Sequence, residues 1–169
     1  MTGGAILPVA IYHDKLYFLM GKENELEKSA KGWADFGGGG EAGETPFQTA
    51  LREGSEELCG FLGGQDRIRQ LLNPSYNFRY KTYHVFLFRL HYDPNLPLYY
   101  NQQHAFLWNK IDNQLLQKSR CFEKEQIRWF TEEELTTMRT EFRPFYQEVV
   151  DHMVKNHMTK IKEFMQLGK

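Results

Sequence analysis

The sequence has few cysteines and no long apolar segment, and both shortages narrow the class of protein. Its two cysteines, Cys59 and Cys121, lie far apart and form neither a CxxC pair nor a disulfide framework, which favours a reducing compartment. No apolar run approaches the roughly 18 residues that would suggest a membrane span. No basic segment precedes the first apolar stretch as a secretory signal would require. We therefore expect a cytoplasmic protein with no membrane partner.

An excess of charge of either sign is also missing. The 21 Lys and Arg residues nearly balance the 22 Asp and Glu residues, which leaves a formal net charge of -1. This balance argues against a protein that holds nucleic acid on a broad cationic surface, although it leaves room for a local basic patch. The six histidines show neither HExxH nor another zinc spacing. An anionic substrate would therefore need a locally built site.

The chain length and composition predict one folded domain over residues 1–169. A typical domain has roughly 100–200 residues, and 41% hydrophobic with 25% charged residues is ordinary for a chain that buries a core. Segments 6–12 and 16–20 flank a short polar stretch and predict a hairpin. A short strand over 33–36, one long strand over 78–91 and another over 127–130 complete a mixed α/β pattern.

The clearest helix start lies near position 45. Thr45 is followed by Pro46 and Gln48, which predicts a capping box with Pro at the first helical position. We expect this helix to continue to about Cys59, because Gly60 is well placed to end it.

Three more helices are predicted with less local detail. A short one over 64–72 would be capped by Asp66, and another would follow Thr131, whose three successors are acidic. A C-terminal helix is predicted over 144–165. Its apolar positions are spaced for one buried stripe and are Phe145, Val149, His152, Met153, Ile161 and Phe164.

Three glutamates lie on one face of the helix that starts near position 45. At roughly 100° per residue, Glu53, Glu56 and Glu57 fall within an arc of about 100°, beside an apolar stripe. Like charges at this spacing destabilise a helix by a few tenths of a kcal/mol per pair. A solvated surface is the ordinary interpretation of such a face, whereas a divalent cation would turn the repulsion into coordination. Mg²⁺ and Mn²⁺ prefer carboxylate and carbonyl oxygens.

The glycine run before this helix matches no complete nucleotide-binding motif. Residues 38–43 satisfy GxGxxG, but the acidic residue expected about 20 positions later is missing. The Gly-Lys-Ser/Thr ending of a P-loop is missing too. Glycine instead indicates that another group approaches this backbone closely, or that the turn is tight.

The spacing of these residues resembles the Nudix hydrolase signature, GX5EX7REUXEEXGU, in which U is a bulky aliphatic residue. Gly38, five residues, Glu44, seven residues and then the segment 52–57, Arg-Glu-Gly-Ser-Glu-Glu, follow it. Two positions depart from it: Gly54 stands at a bulky aliphatic position, and Gly60 comes one residue late. The order of predicted elements is also similar over most of residues 4–150. The resemblance implies an α/β/α sandwich with a mixed β-sheet.

The resemblance also implies a metal-dependent reaction. Members hydrolyse a diphosphate linked to another group, usually a nucleoside. Mg²⁺ or Mn²⁺ would be held by Glu53, Glu56 and Glu57 with a main-chain carbonyl at Gly37 or Gly38. One of the glutamates, or a carboxylate from outside the helix, would orient or deprotonate the attacking water.

Further roles follow from the same resemblance. Glu44 and Arg52 would hold loop and helix together, with Arg52 positioning a catalytic glutamate, either Glu53 or Glu57. An additional metal ligand or base often precedes a later Trp-containing strand. Glu125 is our candidate for it, and Glu123 is the alternative.

The sequence offers weaker signals for the substrate. Trp33 and Phe36 precede the glycine run, and Arg79 and Lys81 lie in an aromatic-basic cluster, so these four residues are predicted to stack on a base or meet phosphate.

The expected function is hydrolysis of a nucleoside diphosphate derivative or a nucleoside triphosphate. One alternative is mRNA decapping, with capped RNA bound by lysines of the C-terminal helix, Lys155, Lys160 and Lys162. The other is a non-catalytic module of the same fold that binds a nucleotide or a protein.

Overall fold

The structure, a computed structural model, describes residues 2–28, 31–120 and 122–166. Cys121, one of the two cysteines, lies outside these ranges. The strands in them are β1 Gly3–Tyr12, β2 Lys15–Glu23, β3 Trp33–Ala34, β4 Phe36–Gly39, β5 Tyr76–Tyr80, β6 Tyr83–Arg89 and β7 Lys124–Thr131. The α-helices are α1 Pro46–Glu57, α2 Gln65–Leu71, α3 Leu96–Trp108, α4 Asn113–Ser119, α5 Glu132–Thr137, α6 Pro144–Asn156 and α7 Met158–Gln166.

The strands form one mixed sheet in which β1 is central and changes its neighbour along its length. Its first half, Gly3 to Ile6, pairs antiparallel with β4, and its second half, Val9 to Tyr12, pairs antiparallel with β2. On its other edge β1 is parallel to β6. This change of partner places the glycine strand β4 directly beside the start of β1.

Helices cover both faces of the sheet. Because neighbouring residues in a strand point to opposite faces, Ile6 packs with the core under α1 and α2, whereas Leu7 packs with the core under α6 and α7. Trp129 and Phe130 of β7 divide between the two cores in the same way. The chain is therefore an α/β/α sandwich built on a mixed sheet, as the resemblance implied.

Several predicted strands differ from those in the structure. The hairpin over 6–12 and 16–20 is confirmed and is longer at both outer ends. The short strand over 33–36 is interrupted at Asp35. The single strand over 78–91 is wrong, because β5 and β6 form a second hairpin that turns at Lys81, whose φ is 53°. Both strands are covered on both faces of the sheet, so odd and even positions alike are apolar. The alternation that would have marked the turn is therefore missing from the sequence.

The predicted helices differ mainly in number and in where they end. The sequence interpretation missed α3 and α4, and the helix over 144–165 is two helices, α6 and α7, which meet at His157. α1 ends at Glu57, two residues before the predicted Cys59. Within the described ranges, no helix is long and apolar enough to cross a membrane.

Candidate functional site

Helix α1 is fixed at its start by the predicted capping box. The Thr45 side chain accepts a hydrogen bond from the Gln48 backbone N–H, and the Gln48 side chain accepts one from the Thr45 N–H. Gly54 faces β1 on the buried side, where a Cβ would lie 2.4 Å from Cδ1 of Ile6. Ile6 therefore fills the space that a bulky aliphatic residue at position 54 would take.

Arg52 connects the glycine strand, the loop before α1 and the acidic face of the helix. Its Nε and Nη2 donate to the two carboxylate oxygens of Glu44 at 2.8 and 2.9 Å. Nη2 also donates to the Gly39 carbonyl, and Nη1 donates to Oε1 of Glu53 at 2.7 Å. The Arg52 guanidinium holds the pKa of Glu44 at about 2. This geometry supports the linking and positioning roles predicted for Glu44 and Arg52.

The Glu53 carboxylate lies against the backbone of Gly38. A Cβ at Gly38 would stand 2.7 Å from the carboxyl carbon of Glu53 and 2.8 Å from both oxygens. The close approach predicted from the glycine run is therefore real, and the group that approaches is one of the three glutamates. Any larger residue at position 38 would displace that carboxylate.

Glu57 belongs to a buried chain of alternating charges. Nζ of Lys124 lies 3.3 Å from Oε1 of Glu57 and also donates to Oε1 of Glu23. Nη1 of Arg143, at the start of α6, donates to the same Glu23 oxygen at 2.8 Å. Lys124 and Glu57 are both buried, with Lys124 0% exposed. Two carboxylates thus share an internal ammonium, which the bulk solvent does not reach.

Within this chain of charges, one carboxylate oxygen of Glu57 has no partner among the described residues. Burial raises the pKa of Glu57 despite the opposing charge of Lys124, and the negative charges of Glu23, Glu123 and Glu53 raise it further. Oε2 of Glu57 is buried and forms no hydrogen bond to any described residue. A buried acceptor without a partner costs about 1–3 kcal/mol, so this atom is suited to a cation.

The other carboxylates lie around this pair at different depths. Glu56 is 33% exposed and contacts Arg52 and Arg120, with its Oε2 3.4 and 3.7 Å from their guanidinium nitrogens. Burial raises the pKa of Glu123, and the charge of Glu53 adds to this rise, so Glu123 lies beside the acidic face. Glu125 instead forms an ion pair with Lys22 at 3.3 Å. Which of these two carboxylates outside the helix assists the metal site stays a prediction.

The donor set at this site fits a hard divalent cation. It offers carboxylates, backbone carbonyls of a glycine strand and the buried Oε2 of Glu57, which are the ligands that Mg²⁺ and Mn²⁺ prefer. In residues 2–28, 31–120 and 122–166, no three His, Cys, Asp or Glu side chains are already arranged to hold a metal ion. Glu53 and Glu57 are instead turned towards Arg52 and Lys124, so their role as metal ligands stays a prediction.

Comparison of the sequence with protein-family models identifies the family that has this arrangement. The family model for the NUDIX domain matches residues 4–153, which include β1, the glycine strand, α1 and Glu123. The chain belongs to the Nudix family. As a member, it is a hydrolase that acts on phosphoanhydride bonds, and its signature glutamates are those on the acidic face of α1.

Solved structures of Nudix proteins share the fold at low sequence identity. The Nudix hydrolase RenU from M. smegmatis is 13% identical, with a TM-score of 0.54 over 94% of this chain and 86% of that one. The Francisella tularensis bifunctional NMN adenylyltransferase/ADP ribose pyrophosphatase, solved with AMP and a Mn ion, is 18% identical. Its TM-score is 0.53 over 92% of this chain and 42% of that one. A search of curated protein sequences gave no match.

The Nudix fold places the four predicted substrate residues in different surroundings. Trp33 and Phe36 are buried in the two cores, Phe36 completely, and their role as substrate contacts stays a prediction. Lys81 pairs with Glu148 of α6 at 2.8 Å, and Arg79 is exposed on edge strand β5. Among the described residues, neither cation forms an ion pair or hydrogen bond with α1.

The sequence interpretation of this Nudix chain missed four charged residues that surround the site: Glu23, Asp35, Lys124 and Arg143. Burial raises the pKa of Asp35 to about 7, against the lowering effect of the Tyr83 hydroxyl and of Lys124. One signal was present for Asp35, because it lies within the predicted strand 33–36 and a charged residue is unusual in a buried segment.

Proposed function

We propose that this chain is a Mg²⁺- or Mn²⁺-dependent pyrophosphohydrolase that cleaves the diphosphate linkage of a nucleoside diphosphate derivative or a nucleoside triphosphate. The observation that carries the proposal is the acidic face of α1, where Arg52 holds Glu53 and Lys124 holds Glu57. A helix that served only for binding would gain nothing from crowding three carboxylates at this cost in repulsion.

The residues that would hold the metal are Glu53, Glu56 and Glu57 with a carbonyl of Gly37 or Gly38. Such an ion lowers the pKa of bound water and neutralises charge that develops on the phosphates. Glu57 is the buried one of the three, and the charge of Lys124 opposes the rise in pKa that burial causes.

The protein groups around the metal site have separate tasks. Arg52 keeps Glu53 against Gly38, and Lys124 keeps Glu57 oriented with one oxygen available. Glu123 is the carboxylate beside the acidic face, and burial raises its pKa, which makes it a stronger base than an exposed glutamate. Glu123 is therefore our candidate for the general base.

The proposal is tested by a screen with metal added. The panel contains nucleoside triphosphates, nucleotide sugars, dinucleoside polyphosphates, diphosphoinositols and capped RNA, and ¹⁸O-labelled water shows by mass which phosphorus is attacked. We expect turnover of at least one nucleotide, and a loss in kcat of roughly 10²-fold or more for Glu123→Gln. Glu125→Gln is the matched control, because its carboxylate pairs with Lys22 on the surface, and it should keep nearly full activity.

Two outcomes would replace the proposal. Wild-type protein that binds nucleotides but turns over nothing in the panel would indicate a non-catalytic binding module. Turnover confined to capped RNA, with strong salt dependence, would indicate decapping. Of the three lysines predicted for RNA binding, Lys162 is paired with Glu132 at 2.7 Å, whereas Lys155 and Lys160 are exposed.

A further inference from the structure

Two histidines face each other where α6 meets α7, and we call them the histidine pair. His152 lies in the last turns of α6, and His157 is the residue between the two helices. Their Nε2 atoms are 3.2 Å apart, and their ring centroids are 5.1 Å apart. The sequence pattern had placed Phe145 and His152 on a buried stripe, but Phe145 is 48% exposed and His152 is half-buried. The contact between the two rings is a hydrogen bond, so one proton must lie between the two nitrogens.

The outer nitrogen of each ring also has a partner. Nδ1 of His157 lies 2.7 Å from the Tyr76 hydroxyl of β5, and Nδ1 of His152 lies 3.1 Å from Nδ2 of Asn156. The same Asn156 nitrogen donates to the His152 carbonyl at 3.0 Å, which identifies it as a donor. His152 therefore carries its proton on Nε2 and donates to His157, which in turn donates from Nδ1 to Tyr76. All four ring nitrogens are satisfied while both rings are neutral.

An additional proton breaks one of these contacts wherever it binds. On Nε2 of His157 it would place two N–H groups opposite each other, and on Nδ1 of His152 it would meet the amide N–H of Asn156. Burial lowers the pKa of His157, and the positive charges of His152 and Lys160 lower it further. The geometry of the hydrogen bonds explains the same direction, because the neutral pair fits this arrangement and the protonated pair does not.

The charged groups that face the pair do not reverse this preference. Glu148 lies one turn before His152 on the same side of α6. Its Oε2 already accepts hydrogen bonds from the Tyr80 hydroxyl and from Nζ of Lys81, at 2.7 and 2.8 Å. From α7, Lys160 contributes a positive charge. A charged imidazole would therefore compete for a carboxylate that is in use, beside a second cation.

His157 determines how α7 begins. Its ring stacks on Phe78 of β5, with centroids 4.8 Å apart. The residues of α7 that enter the core under α6 and α7 are Met158, Ile161 and Met165. Near the other end of α7, Arg89 donates to the Phe164 carbonyl, and a guanidinium keeps its charge throughout the physiological pH range. The attachment at the start of α7 therefore responds to pH, and the attachment by Arg89 does not.

We propose that the histidine pair is an acid-released latch, which holds the start of α7 against the sheet while both rings are neutral and releases it when they are protonated. Release would expose the apolar face of α7. The stabilisation is present above the ordinary histidine pKa of 6.5 and is lost as the pH falls below it, because the pKa of His157 is lowered on folding. The latch goes beyond the proposed hydrolysis, since it lies outside the acidic face of α1.

Hydrogen exchange of the full chain, followed by mass spectrometry at about pH 7.5 and about pH 5.5, tests the latch. EDTA is present, so that no transition metal links the two rings. After correction for the intrinsic pH dependence of exchange, we expect the amides of α7 to exchange roughly tenfold faster at the lower pH. The reason is that each unit by which folding lowers the pKa changes the opening equilibrium about tenfold. The amides of the central strand β1 should change by less than about twofold.

The variant His152→Gln removes one titrating ring but keeps an amide, which can either donate to Nε2 of His157 or accept from it. It should abolish most of the acid response of α7. The matched control is His91→Gln, because His91 is exposed and contacts only the neighbouring Tyr92 carbonyl among the described residues. This control should keep the full response. In NMR, the His157 ring should titrate below 6.5 in wild type and closer to 6.5 in His152→Gln, and the wild-type titration needs no variant to fold.

The proposal is overturned if the protection of α7 in wild type is the same at both pH values. It is also overturned if His152→Gln keeps the wild-type acid response, or if acid accelerates exchange equally in α7 and β1, which would indicate global destabilisation. These readouts do not require turnover, so a failure of the proposed hydrolase function would be seen separately, in the substrate screen.

Discussion

Replacing Lys124 by Met removes the ammonium between two buried carboxylates while keeping the length of the side chain. Glu23 retains Arg143 as a partner at 2.8 Å. Glu57 loses its cation, since Lys124 is its sole ion-pair partner among the described residues. The variant therefore leaves one charge buried in the site without compensation.

The expected cost of Lys124→Met is large for a single substitution. Removing one partner of a buried ion pair lowers the free energy of unfolding by about 3–5 kcal/mol. In a chain of this size each kcal/mol lowers the melting temperature by about 2–4 °C, so Tm should fall by roughly 6–20 °C. The double variant Glu57→Gln/Lys124→Met removes both charges of the pair and should regain at least about 1.5 kcal/mol.

Urea and thermal unfolding followed by circular dichroism, without metal, measure both effects. Lys22→Met is the matched control, because its pair with Glu125 is exposed on a neighbouring strand and should contribute less than about 1 kcal/mol. A Lys124→Met protein that melts within about 2 °C of wild type would refute the argument that Glu57 depends on an internal cation.

Three more predictions concern α1 and the residues that contact it. Gly54→Leu should destabilise the protein by about 1–3 kcal/mol through overpacking, and adding Ile6→Ala, which removes the side chain it meets at 2.4 Å, should restore part of the melting temperature. Gly38→Ala should leave Tm nearly unchanged, because the obstructed group is the end of the Glu53 side chain, but should lower metal-dependent kcat by about tenfold or more. For Glu44, whose pKa is held at about 2, the stabilisation is fully present above its ordinary pKa of about 4.5 and is lost as pH falls towards 2. Urea midpoints should therefore separate wild type from Glu44→Gln at pH 7, approach each other at pH 3 and converge at about pH 2.

Local signals were sufficient to predict the acidic helix. Its cap, its first proline and its apolar stripe all lie within α1 or next to it, and the structure confirms the capping box. The glycine run was informative for the same reason, because the carboxylate of Glu53 approaches Gly38 closely enough to exclude a side chain. Agreement between neighbouring signals makes such a segment predictable from sequence.

The partners of the glutamates could not be predicted in this way. Lys124 and Glu23 are separated by 101 positions, and only the pairing of β2 with β7 brings them together. From sequence, Lys124 and Glu125 are equivalent polar residues, yet alternation along β7 buries Lys124 and leaves Glu125 half-buried. Glu123 and Glu125 are two positions apart, so alternation does not distinguish between these two candidates.

The missed helix α3 has a different cause. Pro97 is of a residue type that usually interrupts regular structure, but it occupies the first turn of α3, where a proline costs no hydrogen bond. The apolar residues of α3 do not lie on one face, since Leu98, Tyr99 and Phe106 are all exposed. The periodicity that identifies an amphipathic helix is therefore missing.

The ammonium of Lys124 affects the order of folding and metal binding. Small metal domains that rely on an ion to neutralise clustered ligands stay unfolded until it arrives. Here a lysine already performs that neutralisation for Glu57 and Glu23. On the proposed metal-dependent mechanism, the polypeptide completes its folding without magnesium or manganese and acquires the ion afterwards, so scarcity of the ion would silence the enzyme without sending it to degradation.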